Sequence, residues 1–132
     1  MAVRISRVLL AQMLAEAAAT PEREACGLLF GIEGRAVTAI QPCANVAADP
    51  ARMFEIDPAL LIAAHKAQRA GGARLVGCYH SHPNGAEEPS LRDSEAAWDS
   101  RNLWLVVAGN RIRAWNAMGS GLFEEVEIER PD

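Results

Sequence analysis

The apolar residues of this chain come in short runs cut off by glycine, proline and asparagine, and that punctuation dictates strands over most of its length. Ala25 to Ile32 (ACGLLFGI) has the length and composition of a buried strand. Glu33-Gly34 is a tight-turn pair, and Arg35 to Ile40 follows as the returning strand of a hairpin. Arg74 to His82 (RLVGCYHSH) is a strand candidate stopped by Pro83. Asn102 to Ala108, Arg111 to Asn116 and Leu122 to Glu129 are three more, the first two joined by Gly109-Asn110. Phe54, Glu55 and Ile56 suggest a further short strand.

Helical spacing occurs in only three places. From about Ser6 to Ala19 the chain is amphipathic: Arg4, Arg7, Gln12 and Glu16 recur on one side, Ile5, Val8, Leu9 and Met13 on the other, and Pro21 marks the end. Asp57-Pro58 starts a second helix, with aspartate as cap and proline in the first turn, and Gly71-Gly72 stops it. Ser90 to Trp98 has the pattern of a short third. Gln41 to Arg52 and Asn84 to Pro89 are loops. The order helix, strands, helix, strand, helix, strands predicts an α/β fold with a mixed, mostly antiparallel sheet sandwiched by helices.

With 132 residues, half of them hydrophobic, the chain suffices for one core, and residues 1–132 are expected to form one domain. The net charge of -4 argues against a nucleic-acid partner, which needs a basic face. No apolar stretch approaches the roughly 18 residues of a membrane span. The amphipathic N-terminal segment lacks the solid apolar centre of a signal peptide, so a cytoplasmic location is expected. Cys26, Cys43 and Cys78 form no CxxC pair and are expected to be small buried side chains in a reducing compartment.

Chemistry concentrates between His80 and Asp93. Residues i and i+2 of a strand face the same way, so His80 and His82 can meet one cation. After the loop, Ser90 and Asp93 arrive at the start of a helix. Ser90-x-x-Asp93 is also the pattern of a capping box, which is purely structural. The two roles are compatible, since a capping serine can still face a cleft. Two histidines and one carboxylate leave a tetrahedral zinc one open position, as catalysis requires. His65, the third histidine, lies inside the second helix as a bystander.

His80-x-His82, seven residues, Ser90, two residues and Asp93 resembles the full motif of the JAMM, or MPN+, metalloprotease family, bacterial stand-alone type. Glu24-Ala25-Cys26-Gly27-Leu28-Leu29-Phe30-Gly31 is similar to that family's first strand with its catalytic glutamate. Pro42, Asn45, Pro50, Phe54, Ile56, Asp57 and Pro58 are similar to its connecting segment. The resemblance covers about residues 5 to 116. It implies a single-domain MPN fold in which His80, His82 and Asp93 ligate Zn2+. It also implies that Glu24 is the general base acting on a water and that Ser90 hydrogen-bonds the oxyanion. From the residues alone Glu22 is a rival for Glu24; alignment on Cys26-Gly27 favours Glu24. Cys78 departs from the family, which often has a large aromatic there, and is either a smaller core residue or a redox handle near the metal.

The implied activity is hydrolysis of an amide or isopeptide bond after the C-terminal Gly-Gly of a small ubiquitin-like protein of the sulfur-carrier type. The chain has only Ser94 to Asp99 between Asp93 and the next loop, without the long insertions of relatives that recognise ubiquitin chains. Two alternatives are a metallohydrolase on another peptide or amide, and a zinc-binding MPN interaction module without catalysis. Family relatives often form homodimers, but no residue here specifies an interface.

Overall fold

A computed structural model of the chain describes residues 2–131. The apolar runs form strands: β1 (Ala2–Ile5), β2 (Cys26–Ile32), β3 (Ala36–Cys43), β4 (Leu75–Ser81), β5 (Leu103–Ala108), β6 (Arg111–Ala117) and β7 (Phe123–Glu129). The helices are α1 (Arg7–Ala19), α2 (Pro58–Arg69) and α3 (Leu91–Ala96). Ser6 caps α1 through its side chain, Asp57 caps α2 with Pro58 in the first turn, and Ser90 caps α3.

The strands close into a barrel in the order β1-β3-β2-β4-β5-β6-β7. β2 pairs antiparallel with β3 and β4, and β6 antiparallel with β5 and β7. β4 and β5 run parallel, and β1 is parallel to both β3 and β7. The sheet is therefore mixed and mostly antiparallel, as expected.

Four details differ from the sequence expectation. β1 is a strand, where the sequence pattern places Arg4 and Ile5 in the helical spacing; its Val3 and Ile5 point inward and complete the barrel. The buried side of α1 consists of Leu10 and Met13, whereas Val8 is 62% exposed. β3 runs on to Cys43 through Pro42. Its pairing with β1 ends at Val37, so at Pro42 that side has no partner strand to lose a hydrogen bond. Phe54 to Ile56 forms no strand, only a single bridge from Ile56 to Asn45.

Alternation along β5 shows how the core divides. Leu103, Leu105 and Val107 point inward with Val3, Ile5, Leu29, Tyr79 and the α1 residues Leu10 and Met13. Trp104 points outward with Cys26, Leu28, Cys78 and Ala64 of α2. Both faces of the central strands are covered, so β5 is buried throughout. Each fully buried leucine or valine contributes about 1.5–3 kcal/mol. The outer face at the ends of the parallel strands β4 and β5 carries the histidines.

Tyr79, between the outward-facing Cys78 and His80, turns inward. Its hydroxyl donates to Glu16 Oε2 at 2.7 Å, linking β4 to α1. The ring lies over Gly27, where any Cβ would come within 2.3 Å of it. Gly27 is required by that close approach. Among the described residues no helix is long and apolar enough to cross a membrane.

Candidate metal centre

Glu24, His80, His82 and Asp93 meet in one buried cluster, each offering a ligand atom within 4.8 Å of the others. His80 Nε2 lies 3.1 Å from His82 Nε2, and Asp93 Oδ2 lies 3.0 Å and 3.1 Å from these two nitrogens. Period two along β4 and its continuation to His82 puts both imidazoles on one face. The His82 N–H keeps that register by donating to the Val107 carbonyl at 2.8 Å.

The third member comes from α3. Ser90 Oγ accepts from the Asp93 N–H at 3.0 Å, and Asp93 Oδ2 accepts from the Ser90 N–H at 2.8 Å. The capping box is thus the device that aims Asp93 at the histidines. Because Ser90 Oγ uses a lone pair in this cap, its hydroxyl proton stays free to donate elsewhere.

Glu24 sits just before β2. The N–H and C=O of Ala25 are both held by Ser81, the residue between the histidines: the Ala25 N–H donates to Ser81 Oγ at 2.8 Å, and the Ser81 N–H donates to the Ala25 carbonyl at 2.9 Å. Ser81 was not singled out by the sequence, because a serine flanked by two histidines carries no signal of its own. Glu22, the rival carboxylate, is exposed, while Glu24 is 3% exposed. Glu24 Oε1 has no hydrogen-bond partner among the described residues. His65 is exposed on α2, away from the cluster.

Electrostatics follow from burial. Desolvation pushes Glu24 up to about 7, against the lowering effect of His82 and with the raising effect of Asp93. Burial also lowers the pKa of His80, a loss that hydrogen bonding to Asp93 only partly offsets. Burial would lower His82 too, but hydrogen bonds to Asp93 and the Ala86 carbonyl leave it above its usual value. Burial raises Asp93, and hydrogen bonds from His80 and His82 outweigh it, holding the carboxyl well below the usual carboxylate range. Burial keeps the Cys78 thiol protonated.

The donor set fits a zinc ion. His82 Nδ1 lies 2.8 Å from the Ala86 carbonyl, a contact that requires a proton on Nδ1 and, in the neutral imidazole, leaves Nε2 as a lone pair. In that neutral form the lone pair, His80 Nε2 and a carboxylate oxygen crowd together with at most one proton among them, which a cation would relieve. Ligands at about 2.0–2.1 Å in a tetrahedron place neighbouring donor atoms about 3.3 Å apart, close to the spacing here. Phe54 stacks on the His80 ring at 4.4 Å and 19°, and Trp104 meets its edge at 5.6 Å. These rings give the cluster an apolar wall that excludes water and strengthens its electrostatics.

Two loops border the cluster. Residues 46–55 carry Phe54, and residues 83–89 carry Ala86 with its carbonyl on His82. Glu87 of the second loop is tied to Arg111 of β6 at 3.2 Å.

Residues 6–118 match the family model described as prokaryotic homologs of the JAB domain. The chain belongs to the prokaryotic JAB family. A desampylase of Haloferax volcanii is 40% identical over 85% of this chain and 81% of its own. A probable TtuB-protein conjugate cleaving protease of Thermus thermophilus is 34% identical over 84% of this chain and 73% of its own. A solution structure of a Desulfitobacterium hafniense protein, 27% identical, superposes with a TM-score of 0.83 over 98% of this chain and 93% of that one. This prokaryotic JAB chain has the MPN fold and is an enzyme, a JAMM-type metalloprotease of the isopeptidase kind. Its cluster brings together His80, His82 and Asp93 of the JAMM pattern with Glu24.

Proposed function

We propose that the protein is a zinc-dependent isopeptidase that hydrolyses the bond after the C-terminal Gly-Gly of a small ubiquitin-like protein. The observation that carries this reading is the convergence of two Nε2 atoms, one carboxylate oxygen and the buried Glu24 carboxylate, whose Oε1 has no partner among the described residues. The names of the two relatives support the substrate class: one is a desampylase, the other a protease that cleaves TtuB conjugates.

His80, His82 and Asp93 would hold the metal. Zinc bound there supplies a Lewis acid that can bring a water's pKa to about 7. Glu24, buried beside these three with its Oε1 unpartnered among the described residues, is placed to take a proton and return it to the leaving amine. The Ser90 hydroxyl, anchored by the Asp93 N–H, donates to the oxyanion as charge develops there. The loops 46–55 and 83–89 form the walls of a groove for an extended tail, whose backbone can hydrogen-bond without its side chains being read. Glycine then suits the narrowest point, beside His80 and Phe54, because it has no side chain to clash.

The test uses zinc-loaded chain and a ubiquitin-like protein ending in Gly-Gly, either extended at that end or joined to a lysine. Mass spectrometry should show cleavage after the second glycine, lost in His82→Ala together with the zinc. Cleavage elsewhere would favour a general metallohydrolase. Zinc binding with no hydrolysis of any such fusion would favour an interaction module.

A further inference from the structure

We propose that Asn45 is the positioning residue that holds Glu24 and the 46–55 loop in their working arrangement. This rests on the reading of Glu24 as the proton carrier. Asn45 is not one of the residues that offer a ligand atom to the cluster, yet its side chain ties the backbone of Glu24 to the loop that carries Phe54. Nδ2 donates to the Glu24 carbonyl at 3.0 Å and to the Met53 carbonyl at 3.0 Å, with a longer, shared contact to the Pro50 carbonyl at 3.4 Å. Oδ1 accepts from the Ala47 N–H at 3.0 Å and the Glu55 N–H at 3.1 Å. Both donors and both lone pairs are used, and every partner is main chain.

The consequences converge on the cluster. The Glu24 N–H donates to the Pro50 carbonyl at 2.7 Å, so the loop grips both backbone polar groups of Glu24, one directly and one through Asn45. Met53, held by Asn45, immediately precedes Phe54, which stacks on His80. Asn45 and Val46 also open the loop as a ribbon, by the bridge to Ile56 and the Val46 N–H donating to the Glu55 carbonyl at 2.9 Å. Apart from the Phe54 ring, the loop's other side-chain ties are weak: Arg52 reaches Asp49 at 3.9 Å, and Arg92 reaches Asp49 at 3.6 Å and Met53 Sδ at 3.4 Å. Asn45 therefore sets the depth of the Glu24 carboxylate and the pose of Phe54 together.

Two variants separate the halves of the side chain. Asn45→Asp keeps the acceptor for Ala47 and Glu55 but turns the donor half into an oxygen facing carbonyls. Asn45→Ala removes both halves. With zinc reloaded and kcat expressed per bound zinc, Asn45→Asp is expected to lower kcat about a hundredfold, the cost of roughly 1 Å of misplacement, while KM changes less than about fivefold. Combined with Glu24→Gln, it should lower kcat little further, because both act through one carboxylate. A readout independent of activity is trypsin cleavage after Arg52, an exposed loop residue, which Asn45→Ala should accelerate at least about tenfold as the loop opens locally. Asn45→Asp within about twofold of wild-type kcat, or a full multiplicative loss in the double variant, would overturn the assignment, leaving Asn45 as a fold residue only. If wild type binds zinc but cleaves no Gly-Gly fusion, the proposed function fails instead, and an unchanged Arg52 cleavage rate in Asn45→Ala would sink the role of Asn45 separately.

Discussion

At the scale of single residues, Glu24 stands out: it is buried, its Oε1 has no partner among the described residues, and burial pushes its pKa up to about 7. Glu24→Gln is expected to retain zinc and lower kcat by about 10²–10⁴, the usual worth of a positioned acid–base group. The same group predicts a pH effect on the metal-free chain. A carboxyl whose folded pKa lies above its unfolded value of about 4.5 favours folding while it is protonated. That contribution is complete below about pH 4.5 and is lost as pH rises through about 7. Metal-free wild type should therefore fall behind metal-free Glu24→Gln by on the order of 2 kcal/mol across that window, after allowance for solvent at the cleft mouth. Denaturant melts at pH 5 and pH 8 would show it; a constant gap would contradict the burial account. Ser90→Ala removes a helix cap and, on the proposed function, an oxyanion donor. It should cost about 1 kcal/mol of stability and lower kcat by roughly tenfold to a thousandfold. Restoring stability elsewhere without restoring kcat would separate the two effects.

Much of this site was legible residue by residue. His80 and His82 follow from a period of two, and Ser90 and Asp93 from a cap pattern that the structure also uses to aim the carboxylate. The residues themselves leave Glu22 and Glu24 open; the structure buries Glu24 in the cluster and exposes Glu22, a difference that depends on where β2 enters the sheet. Ser81 and Asn45 escaped notice as working residues because both act on backbone groups far away in sequence. Ala25 is 56 positions from Ser81, and Glu24 is 21 positions from Asn45.

At the scale of elements, the sequence showed what pairs locally and hid what pairs at a distance. The β2–β3 and β5–β6 hairpins announce themselves by their turn residues. β1 does not: four residues with two inward side chains merge into the helical pattern that follows, and both partners, β3 and β7, lie far along the chain. Closure of the barrel was therefore invisible. β4 is the element on which the site depends most, and Gly27 tests how rigidly it is seated. In Gly27→Ala the new methyl would meet the Tyr79 ring, which cannot move without breaking its bond to Glu16. The expected loss is about 2–4 kcal/mol, from overpacking and one broken hydrogen bond. Tyr79→Phe should cost about 1 kcal/mol alone and nearly nothing on top of Gly27→Ala. Additive losses would show that the ring accommodates the methyl without shifting.

At the scale of the whole molecule, the proposed metal ligands come from two places, the end of β4 with the residue that follows it and the short helix α3. Glu24 joins them from the segment that links α1 to β2. α3 has six residues and little of its own to keep it in place, with Asp93 as a buried member. Zinc binding should therefore be felt as stability of the entire fold, since it favours the native state by RT ln(1 + [Zn]/Kd), about 2.7 kcal/mol at a hundred times Kd. For a chain of this size that corresponds to a rise in Tm of roughly 6–12 °C. Removing the metal from wild type with a chelator should reverse the rise, and His82→Ala should melt at one temperature with or without chelator. The increment should also fade below about pH 6, because imidazoles must be neutral to bind and protons compete for them. Calorimetry of both proteins, with and without zinc at pH 6 and pH 7.5, measures all three quantities. A wild-type Tm indifferent to zinc at both values would mean that the cluster does not hold the metal.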